Sequence, residues 1–299
     1  MIHVERINDS NEDGERCRQL LDLGPELVAN LCKQTVDALF AGGYQNRNGQ
    51  WVNLSTGMAN SRQGQRDLAP DAQPGDPLIY CERWTHVRFE NNTTLLAAQQ
   101  MLQQGQRPLV LNLASGKEPG GHFLKGGRAQ EETLCRASTL YPHLTGHPMY
   151  AFNDTQPKGQ FSDWAIYTPA VQVFRTDDGQ WLNQPWYIDV LTCAAPVAFQ
   201  VSEPRAILKQ RIFRMLRACQ VFGHRDLLLG AWGCGAYKND PVSTGQDLAQ
   251  ILADHFEGSF DNITFAIADW RAGHSLLHSF ATSFRERIKQ YSSDWARVD

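Results

Sequence analysis

No stretch of the 299 residues approaches the roughly 20 consecutive apolar positions of a membrane-spanning helix. Positive charge is not in excess: 28 Lys and Arg stand against 32 Asp and Glu, a net charge of −4, which argues against duplex nucleic acid as the main partner. The opening residues, Met1-Ile2-His3-Val4-Glu5-Arg6, are mixed and charged and carry no secretory signal, so a soluble cytoplasmic protein is expected. Cysteines are few. Cys17, Cys32, Cys81, Cys135, Cys193, Cys219 and Cys234 are odd in number, scattered and never spaced C-x-x-C, which argues against a disulfide framework or a structural zinc site. Internal repeats and long low-complexity tracts are also missing. Neither G-x-x-x-x-G-K-[ST] nor G-x-G-x-x-G nor H-E-x-x-H occurs, so P-loop nucleotide hydrolysis, the dehydrogenase fingerprint and the zinc-protease motif are excluded.

What is present is a chain that is 42% hydrophobic, enough for one large domain or two small ones. Residues 25–41 read as a helix: Pro25 suits its first turn, Leu27, Val28, Leu31, Val36, Leu39 and Phe40 form an apolar stripe, and Gly42-Gly43 stops it. Residues 56–79, with Pro70, Pro74 and Pro77, read as an irregular connection. From there strands and helices alternate. Strands are expected at 85–89, 109–113, 170–174, 187–192, 226–229 and 263–267, and helices at 94–103, 131–141, 205–222, 245–256 and 274–290. In 205–222, Leu208, Ile212, Met215 and Cys219 fall on one face and Arg211, Arg214 and Arg217 on the other. Such alternation predicts an α/β layer architecture.

Two glycine-rich loops each follow a short apolar strand. The first runs Pro119-Gly-Gly-His-Phe-Leu-Lys-Gly-Gly-Arg-Ala-Gln-Glu-Glu132, the second Gly230-Ala-Trp-Gly-Cys-Gly-Ala-Tyr237. Ligands of α/β sheets sit outside the carboxyl ends of strands, and glycine lets a backbone approach an anion closely. The same glycines also serve plain turns. Glu131 and Glu132 read either as charge complementing a helix start or as a catalytic carboxylate pair, in which burial beside a second carboxylate raises a pKa. His122 reads as a surface residue, a base or a lone metal ligand. Cys135 and Cys234 read as packing or as nucleophiles, Tyr237 as a cover for a ribose or diphosphate or as core, and Trp232 as core.

Taken together, Gly120-Gly121-His122, a seven-residue spacer and Gln130-Glu131-Glu132 resemble the signature of the microbial poly(ADP-ribose) glycohydrolases, a family of macrodomain proteins. Leu111–Ser115, Leu134–Ser138 and Gly230–Pro241 resemble that family too, and Gly42-Gly43-Tyr44, 91–98, Tyr167-Thr-Pro169 and Ala194-Ala195-Pro196 stand in its order. The likeness implies a macrodomain-like three-layer α/β/α fold with a mixed central sheet over 81–299 and an N-terminal helical or irregular extension over 1–80. It implies an enzyme cleaving the O-glycosidic ribose linkage of ADP-ribose polymer, acting as a monomer, with no cofactor and no metal. Glu132 would be the catalytic acid/base and Glu131 would orient ribose hydroxyls. Gly120, Gly121, His122, Gln130, Asn112, Ser115, Gly233, Cys234, Gly235, Ala236 and Tyr237 would bind the ligand. Two positions depart from the pattern: His122 replaces a third glycine, and Val197 stands where asparagine is common. A non-catalytic ADP-ribose reader, a hydrolase of mono-ADP-ribosylated protein or nucleic acid, and a metal-dependent hydrolase are the competing readings.

Overall fold

The computed structural model describes residues 1–72, 75 and 83–295, with the backbone alone for 292–295. In chain order its elements are β1 (Ile2–Val4), α1 (Asn11–Leu21), α2 (Pro25–Ala41), β2 (Gly43–Gln45), β3 (Trp51–Asn53), α3 (Ser55–Gly64), β4 (Arg66–Leu68), β5 (Thr85–Glu90), α4 (Thr94–Gln103) and β6 (Pro108–Ala114). There follow α5 (Gln130–Ala137), α6 (Tyr141–Leu144), α7 (Pro148–Asp154), β7 (Ala165–Arg175), β8 (Trp181–Ala194), α8 (Pro204–Val221), β9 (Asp226–Leu229), α9 (Pro241–His255), β10 (Asn262–Ala266) and α10 (Ser275–Trp295).

Eight strands make one sheet in the order β1-β5-β10-β9-β6-β8-β7-β4. The first six run parallel, and β7 and β4 close one side antiparallel, so the sheet is mixed. Its parallel strands are apolar runs because both faces are covered. Side chains alternate between the faces: Leu109, Leu111, Leu227 and Leu229 pack with α8, α9 and α10, whereas Val110 and Leu228 pack with α2, α4 and α5. On the first face Phe89 stacks on Phe265 at 4.8 Å between ring centroids, with Phe280 and Phe284 of α10 against them. Fully burying each such ring stabilises the fold by about 1.5–3 kcal/mol.

The structure corrects the sequence reading in five places. Residues 55–64 form α3 and 66–68 form β4, although 56–79 reads as irregular; the remainder of that stretch beyond 72, except 75, lies outside the described residues, as does Cys81. The N-terminal segment, expected as helical or irregular, supplies both outer strands, β1 beside β5 and β4 beside β7. Three-residue strands are too short to show periodicity, and their partners lie far along the chain. The helix expected over 131–141 ends at Ala137, because Ser138 turns extended and bridges Val173. Helix α9 begins at Pro241, not 245: Asp240 caps it by accepting from the Ser243 amide at 2.8 Å. Arg211 is buried on α8 rather than solvated. Its guanidinium pairs with Asp163 at 2.7 Å and donates to the carbonyls of Ala194 and Phe161.

Candidate active site

Strands β5, β10, β9, β6 and β8 are parallel, so their carboxyl ends share one edge of the sheet. Both glycine-rich loops leave that edge, from the adjacent strands β6 and β9. Between them lies a cleft of about 630 Å³. A smaller hollow of about 470 Å³ beside Asn53, Thr56, Gln172 and Tyr187 contains no acidic residue.

Helix α5 starts at the end of the first loop and carries Glu131 and Glu132 in its first turn. Gln130 locks that turn to β6: its amide donates to the Leu111 carbonyl at 2.8 Å and its oxygen accepts from the Leu113 amide at 2.9 Å. Glu132 is 7% exposed. Its Oε1 accepts from the His122 amide at 2.8 Å, while Oε2 is buried with no hydrogen bond among the described residues. Glu131 accepts from the Ser115 amide at 2.6 Å and from Asn112 Nδ2 at 3.2 Å. Burial pushes the Glu131 carboxyl up to about 8; the donors on Ser115 and Asn112 oppose this, and the neighbouring Glu132 charge adds to it. The two carboxyls are buried side by side, and the raised one is Glu131 rather than the Glu132 singled out from the sequence. Behind the pair, buried Arg136 donates to the Gly127 carbonyl and to Thr133, tying the loop to the helix.

The loop approaches this pair closely only because it is glycine there. Gly121 sits at φ +59, and a methyl on it would collide with Glu132 Oε1 and stand 3.0 Å from Glu131 Oε2. His122, in contrast, has φ −90, which any residue adopts, and its side chain is exposed at the cleft. The departure at this position thus introduces no backbone strain.

Across the cleft, the second loop offers backbone donors. The amides of Gly233, Gly235, Ala236 and Tyr237 donate to no group among the described residues. Such a row of unspent N–H groups is an anion-binding arrangement. The Tyr237 hydroxyl accepts from the Gly116 amide at 3.2 Å, which brings the two loops together. Its ring packs 5.9 Å from Phe161, with Val197 and Ala194 in the same cluster. Val197, the second departure, is thus part of an apolar floor.

Of the residues singled out from the sequence, Ser115, Gly121, His122, Gln130, Glu131, Glu132, Gly233, Gly235, Ala236 and Tyr237 line the cleft together. Asn112, Gly120 and Cys234 stand behind it. Asn112 is fully buried, and its amide donates to Glu131 and to the Thr192 hydroxyl. Gly120 makes room for Tyr141 and Cys135 at φ +71, and the Cys234 thiol faces the Trp232 carbonyl. The six described cysteines are all buried, and burial pushes the Cys135 and Cys234 thiols up, which suits packing rather than nucleophilic attack. Sequence reasoning missed Phe161, Asn153, Asp177, Phe199 and Trp270. Asn153 donates to the Gly116 carbonyl at 2.8 Å and accepts from the Ser162 amide, and Phe161 holds φ +58 beneath Tyr237. No local motif marks these residues; folding brings Phe161, Asp177, Phe199 and Trp270 to the cleft from separate segments, while Asn153 of α7 braces the first loop through Gly116.

The sequence profile of the family described as microbial-type PARG, catalytic domain, matches residues 32–176. Among solved structures, the poly(ADP-ribose) glycohydrolase of Thermomonospora curvata is similar at 34% identity and a TM-score of 0.77, covering 86% of this chain and 99% of that one. The same enzyme bound to the inhibitor ADP-HPD superposes with a TM-score of 0.79 at the same identity and coverage. The poly(ADP-ribose) glycohydrolase of Deinococcus radiodurans in complex with ADP-ribose is 33% identical, with a TM-score of 0.69, over 78% of this chain and 98% of that one. No curated protein sequence matches the chain.

Proposed function

This chain belongs to the microbial-type poly(ADP-ribose) glycohydrolase family, and from that premise we propose how its cleft cuts the polymer. The chain is an enzyme, a glycohydrolase whose substrate is ADP-ribose polymer. In our proposal the diphosphate of a polymer unit rests on the free amides of Gly233, Gly235, Ala236 and Tyr237, between the two loops. The adjoining ribose then lies against Glu131 and Glu132.

Glu132 protonates the leaving ribose oxygen, positive charge develops on the sugar ring beside the diphosphate, and the same carboxylate then takes a proton from the attacking water. The observation that carries this role is the asymmetry of Glu132: one oxygen is pinned by the His122 amide and the other is buried and unspent. Glu131, with both oxygens engaged by Ser115 and Asn112, is a fixed partner that orients ribose hydroxyls. Burial pushes the Glu131 carboxyl up to about 8, which keeps Glu131 protonated near neutral pH beside Glu132. We further propose that the protein works as a cytoplasmic monomer, which a solution mass of twice 33.7 kDa would contradict. No helix among the described residues is long and apolar enough to cross a membrane.

The test is Glu132→Gln. Hydrolysis of ADP-ribose polymer should fall by about 10²–10⁴-fold, while calorimetry still registers ADP-ribose binding. Undiminished turnover by this variant would remove Glu132 from the mechanism. Binding without turnover by the unaltered chain would favour the reader instead, and faster turnover of mono-ADP-ribosylated protein than of polymer would move the substrate.

A further inference from the structure

Three side chains from the two ends of the chain meet at the start of α10, close in sequence to Trp270 and Leu276 of the cleft lining. His274 ends the short turn that precedes α10, and His278 follows four residues later in the first turns of that helix. Asp9, 265 residues before His274, lies between them. Its Oδ2 is 2.8 Å from His274 Nδ1 and 2.9 Å from His278 Nε2, and the three ligand atoms all fall within 4.8 Å of one another. We propose that Asp9, His274 and His278 form a binding site for a divalent transition metal of the zinc class, separate from the catalytic acids.

The donor set suits that ion. Two imidazoles and one carboxylate are the ligands of three-residue zinc sites, in which solvent completes the tetrahedron. Imidazole nitrogen selects zinc, copper or nickel over magnesium. The site is also braced. Asn91 Nδ2 donates to the other Asp9 oxygen at 2.9 Å, and such a hydrogen bond orients a ligating carboxylate. The backbone of His274 is held where it costs energy, at φ +44. A non-glycine residue kept in that region costs on the order of 1–3 kcal/mol and persists where surrounding contacts fix it. Access is open, since the His278 side chain is 50% exposed, whereas Asp9 at 6% and His274 at 11% are shielded.

The position gives the ion a purpose. Asn91 also donates to the Asp269 carbonyl and accepts from the Asp269 amide. The clamp therefore joins the N-terminal segment, the end of β5 and the 268–276 turn, and that turn presents Trp270 and Leu276 to the cleft. A bound ion fixes this wall and takes no part in the glycosidic step.

Chelator-treated full-length protein titrated with Zn²⁺ should bind one equivalent, while Mg²⁺ should give no saturable heat. Co²⁺ substitution should give a visible absorption band without thiolate-to-metal charge transfer, which separates this site from the cysteines. His278→Ala changes a half-exposed side chain, so the variant should fold and bind Zn²⁺ at least tenfold more weakly; Asp9→Asn should do the same. Zn²⁺ at 100 times its dissociation constant should raise the unfolding free energy of the wild type by about 2.7 kcal/mol and that of His278→Ala much less. No saturable Zn²⁺ binding by the wild type, a thiolate band with Co²⁺, or equal affinity in His278→Ala would overturn the proposal.

Discussion

Gly121→Ala puts the smallest side chain into the closest approach in the site. Two costs follow from the coordinates. The first is conformational: at φ +59 an L-residue is about 1–2 kcal/mol less stable than glycine. The second is steric. The new methyl would overlap Glu132 Oε1 and lie 3.0 Å from Glu131 Oε2 and 3.1 Å from Glu132 Cδ, so the Glu132 carboxylate must swing away. That breaks its hydrogen bond from the His122 amide, worth about 1.5–3 kcal/mol for a charged acceptor. Stability should fall by about 2.5–5 kcal/mol. Turnover should fall further, because a displacement of about 1 Å in a catalytic group costs about 10²-fold. The assay is paired: thermal unfolding for stability and polymer hydrolysis at saturating substrate for kcat. Gly235→Ala is the internal control. It also lines the cleft, but a methyl there meets nothing within 4 Å, so it should fold normally and keep its acids in place. If Gly121→Ala kept the kcat and stability of the wild type, the close approach of this loop to the acid pair would be refuted.

Three further outcomes are expected. Glu131 holds its proton to about 8 in the folded state against an ordinary value of 4.5. The stabilisation it contributes is therefore complete below about pH 4.5 and is lost as pH rises through about 8, with an upper limit of about 5 kcal/mol. Denaturant titrations across this window should show the decline in the wild type and lose that component in Glu131→Gln; identical slopes would refute the assignment. His122→Gly should alter kcat little, since the group that holds Glu132 is the backbone amide; a hundredfold loss, measured by hydrolysis, would make the imidazole a participant. Arg211→Met removes the charge paired with Asp163, to which only Gln210 then donates among the side chains described, and a donor to the carbonyls of Ala194 and Phe161, so it should destabilise by about 3 kcal/mol or more in chemical unfolding.

The catalytic segment was legible because its chemistry is local. Glycines that permit positive φ, a helix start and two carboxylates occupy fourteen consecutive residues, and the parallel strands before each loop show as apolar runs. Arg211 was misread for the opposite reason. Helical periodicity reports which residues share a face, but not that the 161–163 turn would cover the arginine face and supply Asp163. The short strands β1 and β4 were invisible because their pairing partners, Thr85 to Val87 and Ala165 to Tyr167, lie about 80 to 100 residues away.

The sequence by itself determined the layered α/β class, the two glycine loops and the adjacency of Glu131 and Glu132 at a helix start, since each depends on neighbours within one or two turns of chain. Tertiary structure alone decided which acid is pushed to a high pKa, because the burial and the hydrogen bonds come from Asn112 of β6, Ser115 and the His122 amide packed around the start of α5. It alone made Asn112 a support for Glu131 and gathered Asp9 to His274 and His278. A side chain's type is written at its own position, but its dielectric surroundings and partners are set by segments that meet only after folding.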